Sequence, residues 1–175
     1  MSDPVILVPY DPIWKQLASE EALRISACLK DQLYAIHHIG STSIPGIKAK
    51  PILDLMGVVK DLTLLDQCSH LLEQIGYKAR GENGIPGRRY FSKPSQGARS
   101  HHLHFFQIGD PNIDRMLLFR DYLLAHPVMA SAYEGLKEIL AAEYSNDRRS
   151  YSDAKTAFIR DIERRAIQWK QNVSP

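Results

Sequence analysis

Asp54 is the single charged residue in an otherwise apolar run, Ile52 to Val59. A strand apolar on both faces belongs in the middle of a sheet. A carboxylate there is costly to bury unless something pairs with it, so the chain must assemble partners around Asp54. Upstream, Tyr34 to Ile39 is β-rich and stops at Gly40-Ser41, with twelve residues between Ser41 and Asp54. Pro45 and Gly46 forbid a regular helix through the intervening loop, Ser41 to Lys50. Strand, tight turn, loop and buried acidic strand is the plan that any fold for this chain has to satisfy.

Three features carry possible chemistry. Gly40, Ser41, Thr42 and Ser43 are small enough to let backbone N–H groups approach a phosphate, and the hydroxyls add donors. The GxxxxGK pattern of a P-loop is absent. Asp54 is the second feature; a metal, Lys50, a histidine or a helix terminus can balance it. Ile52, Met56 and Val58 share its face, so no second acid stands beside it in the strand. The third is Arg99-Ser100-His101-His102-Leu103-His104, which holds three of the seven histidines. On a strand, His102 and His104 point the same way and Leu103 the other. Two imidazoles on one face can bind a metal, hold a phosphate or transfer protons. Lys48, Lys50, Arg88, Arg89 and Arg99 add positive charge. Arg88 and Arg89 follow a glycine-rich loop, Gly81 to Gly87, and are expected to close over an anionic ligand. Lys137 and the Tyr151/Lys155 pair read as packing and solvation on helices.

The rest of the chain frames these features. Val5 to Val8 is a short strand candidate, and Asp11-Pro12 opens a helix whose apolar stripe runs to about Leu33. Asp61 caps a second helix, which Gly76 ends. Tyr77 to Arg80, Arg89 to Ser92 and His101 to Ile108 read as strands, with a polar loop from Lys93 to Ser100. After Asp110-Pro111 the pattern turns helical, with helices expected over Ile113 to Ala125, Pro127 to Tyr144 and Tyr151 to Asn172. At 175 residues this is a single-domain chain, an α/β core over 1–110 followed by C-terminal helices over 111–175. Cys28 and Cys68 are far apart and read as small buried hydrophobes. A net charge of +2 gives no basis for a nucleic-acid partner. No segment resembles a signal peptide or a membrane span, so a cytoplasmic location is expected.

The strand, Gly-Ser turn and acidic strand together resemble the ground plan of the nucleotidyltransferase superfamily. There the Gly-Ser loop meets a nucleotide phosphate and paired acids hold metal; Met56 stands where the second acid is wanted. Over almost its whole length the chain resembles the GrpB family, a group of small bacterial proteins placed in that superfamily. The resemblance rests on Val8-Pro9-Tyr10-Asp11-Pro12-Ile13-Trp14, His38 through Gly46, Ala49 through Asp54, Gly76-Tyr77 and His102-Leu103-His104. It continues through Tyr133, Leu136-Lys137 and Tyr151 through Lys155. It implies an α/β (α+β) fold, a mixed sheet flanked by helices with a C-terminal helical extension, and a cleft lined by the Gly-Ser loop and the Asp54 strand. Some members of the family are fused to a coenzyme A biosynthetic kinase.

The expected ligand is a nucleotide or phosphorylated small molecule, held by Gly40, Ser41, Thr42, Ser43, Lys50, Arg88 and Arg89. Asp54, His102 and His104 are the expected catalytic residues and the ligands of a divalent metal, magnesium, manganese or zinc. Three readings stand beside one another: metal-dependent nucleotidyl or phosphoryl transfer, nucleotide or anion binding in a degenerate site, and a one-metal Asp/His/His phosphohydrolase. Oligomeric state is not encoded in any pattern of the sequence.

Overall fold

A computed structural model describes residues 4–94 and 100–173. Thirteen short stretches of backbone order in it reduce to a sheet between two helical layers. The strands are β1 (Leu33–Ile39), β2 (Ile52–Val59), β3 (Lys78–Ala79), β4 (Arg89–Lys93) and β5 (Ser100–Gln107). The helices are α1 (Ile13–Leu29), α2 (Leu62–Gln74), α3 (Pro111–Ala125), α4 (Pro127–Glu143), α5 (Arg148–Ala154) and α6 (Thr156–Val173).

The strand order is β1-β2-β5-β4-β3, a mixed sheet in which β2 and β5 run parallel and the other neighbours antiparallel. β2 is therefore flanked on both sides, as its two-sided apolar character requires. The register sets Asp54 beside Ile39 of β1 and His102 of β5, and Met56 beside His104. Tyr90 lies next to His104 on the other side, so these residues share one face of the sheet.

The opposite face carries the larger core. Ile25 and Leu29 of α1 and Leu65 and Leu72 of α2 are buried against Leu55, Val59, Leu103 and Phe105. Each such side chain contributes about 1.5–3 kcal/mol when fully buried. Cys28 and Cys68 are free thiols packed at its margin. Local chemistry fixes the helix ends. Asp61 accepts the Thr63 N–H at 2.6 Å to open α2, and Gly76, at φ 96°, closes it. Asp110 accepts the Asn112 N–H at 2.8 Å ahead of α3.

On the Asp54 face, Ile39, Met56 and Phe106 are buried beneath Ile113, Met116 and Leu117 of α3. α3, α4 and α6 then form their own core with Tyr122, Leu123, Tyr133, Ile162 and Ala166. Ile44 and Ile47 reach into it from the loop after Ser43, which nails that loop to the helices. No helix among the described residues is long and apolar enough to cross a membrane.

Four elements depart from the sequence reading. Val5 to Val8 contributes only one β-bridge, Val8 to Ala49, because Val5 is drawn into a cluster with Leu140, Ala141 and Tyr151. α1 stops at Leu29, where Lys30 takes φ 47°, and a single 3₁₀ turn leads into β1. The expected strand at 77–80 is reduced to β3, whose Lys78 and Ala79 pair with Ser92 and Phe91 at the sheet edge. The last helix is two helices, α5 and α6, divided at Lys155. Within the polar loop after Lys93, residues 95–99 with Arg99 lie outside the described residues.

Two substitutions test this packing. A Cβ at Gly57 would sit 2.2 Å from the Phe105 ring, so Gly57→Ala is expected to lose about 1–3 kcal/mol in urea unfolding. Met56 is fully buried among apolar side chains. Met56→Asp should lose about 3 kcal/mol or more, equally with and without Mg²⁺; recovery by Mg²⁺ in the variant alone would refute the apolar role of Met56.

Candidate functional site

A cavity of about 260 Å³ opens where β1 ends and where β2 and β5 begin, and α4 and α5 wall its far side. Gly40 and Asp54 define its floor. Gly40 takes φ 72°, and a Cβ there would lie 2.7 Å from Asp54 Oδ2. The glycine is thus required twice, for its backbone and for the space that it leaves to the carboxylate.

Asp54 gathers two of the three histidines of β5, His102 and His104. His102 Nδ1 is 3.2 Å and His104 Nε2 3.5 Å from the same oxygen, Oδ1. Burial alone pushes the Asp54 carboxyl upward. The hydrogen bonds from His102 and His104 outweigh that, and hold the carboxyl well below its ordinary value. Asp54 therefore presents a negative charge to the cavity at neutral pH. Tyr90 packs on both imidazoles, with ring centroids 5.6 Å from His102 and 5.2 Å from His104.

The Gly-Ser turn is a single 3₁₀ turn, Ser41–Ser43. Its three hydroxyls differ. Ser43 Oγ donates to the Gly40 carbonyl at 2.5 Å, and Thr42 Oγ1 pairs with His38 Nε2 at 2.9 Å. Burial pushes His38 down to about 4, so that histidine is neutral at physiological pH. Ser41 lines the cavity, where its side chain hydrogen-bonds with Tyr133.

The expected basic residues divide. Lys50 lines the cavity, with its ammonium 5.1 Å from the centre of the Tyr151 ring. Lys48 turns outward into an ion pair with Glu138, and its backbone N–H donates to Glu134 at 2.6 Å. The closing of Arg88 and Arg89 together over a ligand needs correction. Arg89 pairs in register with Phe105, on the opposite face, and binds Asp66 of α2 at 2.7 and 2.8 Å. Arg88 is buried on the Asp54 face but does not line the cavity; it donates to the Glu82 and Asn83 carbonyls at 3.0 and 2.5 Å. The loop before it is fastened too: Glu82 caps the Gly87 N–H at 2.8 Å, and Ile85 packs against the apolar cluster over Met56.

Sequence reasoning assigned Lys137, Tyr151 and Lys155 to packing and passed over Tyr133 on its own; the structure turns all four into the cavity. A repeated spacing marks them, Tyr133-x-x-x-Lys137 and Tyr151-x-x-x-Lys155. Each lysine lies over the ring four residues before it, at 4.9 and 4.3 Å. Lys137 also donates to the Lys48 carbonyl. Burial pushes the Lys137 ammonium down to about 8. Burial, reinforced by the charges of Lys50 and Lys137, pushes Lys155 down to about 7. Burial, with the charge of Arg148, lowers Lys50 as well. Three lysines thus face one carboxylate across the cavity. Among the described residues, no group of three or more His, Cys, Asp and Glu side chains is arranged to hold a metal ion.

Comparison with known proteins places this geometry. The family model described as GrpB protein matches residues 4–165. The UPF0157 protein YqkA of Bacillus subtilis is 41% identical over 95% of this chain and 48% of its own, so the chain spans about half the length of that relative. A dephospho-CoA kinase of Mycobacterium leprae is 27% identical over 95% of this chain and 47% of its own length. The crystal structure of GrpB from Enterococcus faecalis superposes with a TM-score of 0.89 at 36% identity, covering 95% of this chain and 99% of that one. The structure of Cid1 in complex with its short product ApU matches with a TM-score of 0.51 at 13% identity, over 75% of this chain and 42% of that one. That similarity extends to the fold, which is nucleotidyltransferase-like. By sequence and by fold together, the chain belongs to the GrpB family.

Proposed function

We propose that the cavity binds the phosphate groups of a nucleotide or other phosphorylated small molecule, in a cytoplasmic protein. One observation carries this reading: Lys50, Lys137 and Lys155 converge on a cavity whose lining supplies a single opposing carboxylate. Buried ammonium groups repel one another and lose hydration, so the arrangement is relieved by a ligand that brings negative charge. The Gly40-Ser41 turn adds a backbone and a hydroxyl donor beside them. The base or other non-phosphate part of the ligand is left to the open side of the cavity.

Turnover is the further step. The nucleotidyltransferase-like fold supports nucleotidyl or phosphoryl transfer, with Asp54 and His102 at the reacting end and His104 behind them. Binding without turnover is the second reading, and Met56 favours it: the position of a second acid is occupied by a side chain buried between Ile39 and Phe106. Two-metal transfer needs carboxylates that bridge both ions, and one acid does not provide them.

Calorimetric titration with inorganic triphosphate and with nucleoside triphosphates tests the binding, and release of pyrophosphate or phosphate tests turnover. Loss of a charged hydrogen bond at Lys155→Met should weaken triphosphate about tenfold or more. The same variant should be more stable than wild type without ligand, since a buried charge is gone. The pH dependence has a defined sign. The folded protein releases protons from Lys155 near 7 and Lys137 near 8, whereas the unfolded chain holds them to about 10.5. The unfolded state binds more protons across that window, so ligand-free stability gains from these lysines as pH rises through it. Triphosphate affinity should fall over the same rise, because the ammonium form is the one that binds. An affinity unchanged between roughly pH 6 and roughly pH 9, or unchanged in Lys155→Met, would place the phosphates elsewhere.

A further inference from the structure

Arg88 sits behind the Asp54 site and settles a question of proton placement there. Its guanidinium has donors only. Two of them meet the Glu82 and Asn83 carbonyls, and Nη1 lies 3.2 Å from His104 Nδ1. Nδ1 of His104 must therefore accept. The proton of the neutral ring is left on Nε2, the nitrogen that faces Asp54 Oδ1 at 3.5 Å. His102 meets the same carboxylate oxygen through its other nitrogen, Nδ1, at 3.2 Å. A carboxylate accepts, so His102 carries a proton on Nδ1, and in the neutral ring the lone pair is on Nε2.

We propose that Arg88 is a positioning residue that fixes His104 in the Nε2–H tautomer, opposite to the Nδ1–H form that Asp54 holds at His102. The two histidines then have different roles although they are two residues apart on one strand face. His104 has both nitrogens committed, one to Arg88 and one to Asp54, and lies outside the cavity lining. His102 lines the cavity, and its neutral form offers Nε2 as a proton acceptor.

The same geometry bears on the expected Asp54/His102/His104 metal set. A histidine that ligates a metal donates its second ring N–H to an acceptor. The second nitrogen of His104 faces a guanidinium, which cannot accept. Ligation through Nε2 would set an Nδ1–H against an arginine donor, so His104 does not fit a metal. With Asp54 and His102 alone, the site lacks the three protein ligands usual for catalytic zinc.

The test is direct observation of the ring nitrogens. Long-range ¹H–¹⁵N correlation spectra of the labelled full chain, assigned with His102→Gln and His104→Gln, should show His104 protonated on Nε2 and His102 on Nδ1. Arg88→Lys keeps a donor and should preserve the His104 pattern. Arg88→Met should convert His104 to a mixture of tautomers and leave His102 unchanged. Zn²⁺ added to wild type should leave the His104 nitrogens unmoved. The proposal is overturned by a shared tautomer in wild type, by an Nδ1–H at His104, or by Zn²⁺ shifts at both histidines that vanish in Asp54→Asn. It also fails if Arg88→Met folds and keeps the wild-type His104 pattern. Triphosphate plays no part in these readouts, so failure of the anion-binding reading and failure of this one are seen separately.

Discussion

A charged carboxylate in an interior strand of the sheet is the constraint around which the surrounding structure is arranged. Asp54 lies on a strand flanked on both sides, so its side chain can leave the sheet only through the cavity face. Its charge is kept by donors brought from β5, and its space is kept by the absence of a side chain at Gly40. β1 ends at Ile39 beside Asp54, and the turn that follows must take a left-handed conformation within contact of the carboxylate. The turn, the two histidines and, through His104, the buried Arg88 are all positioned relative to one side chain.

The lysines opposite form a second, competing arrangement. Burial removes water from Lys50, Lys137 and Lys155, and the three repel one another. Tyrosine faces offset part of this through cation–π contact. Asp54 is close enough to raise Lys155, yet the net direction for all three lysines is downward. Such a cluster opposes the stability of the ligand-free fold, the usual relation between a binding site and its scaffold.

Much of this was legible in the sequence, for reasons that differ by element. The alternation of strands placed His102 and His104 on one face, and the apolar run around Asp54 placed it centrally. Arg88 and Arg89 were read as a pair because they are adjacent, but β4 begins at Arg89, and successive residues at a strand's start part to opposite faces. One arginine then met Asp66 and the other His104. Lys137 and Lys155 were illegible singly, since a helix lysine is ordinarily solvated. Their shared spacing from a tyrosine was the available signal. The departure at Val5 had no local cause: its partners, Leu140 and Tyr151, lie at the other end of the chain.

The parallel pairing of β2 with β5 also bears on the order in which the molecule is assembled. Parallel neighbours require a long crossover, and Asp54 and His102 are 48 residues apart. The contact that ties Lys137 to the Lys48 carbonyl spans 89. Contacts of such separation form late, after the loop-closure entropy has been met. The first turns of α1 and α2 are encoded by neighbours in sequence, whereas the cavity has no local precursor in either half of the chain. A nascent chain still lacking α4 and α5 would carry the acid, its histidines and Lys50 without Lys137 and Lys155. The cavity is therefore a property of the finished chain, and any anion that occupies it selects molecules whose last helices have already docked.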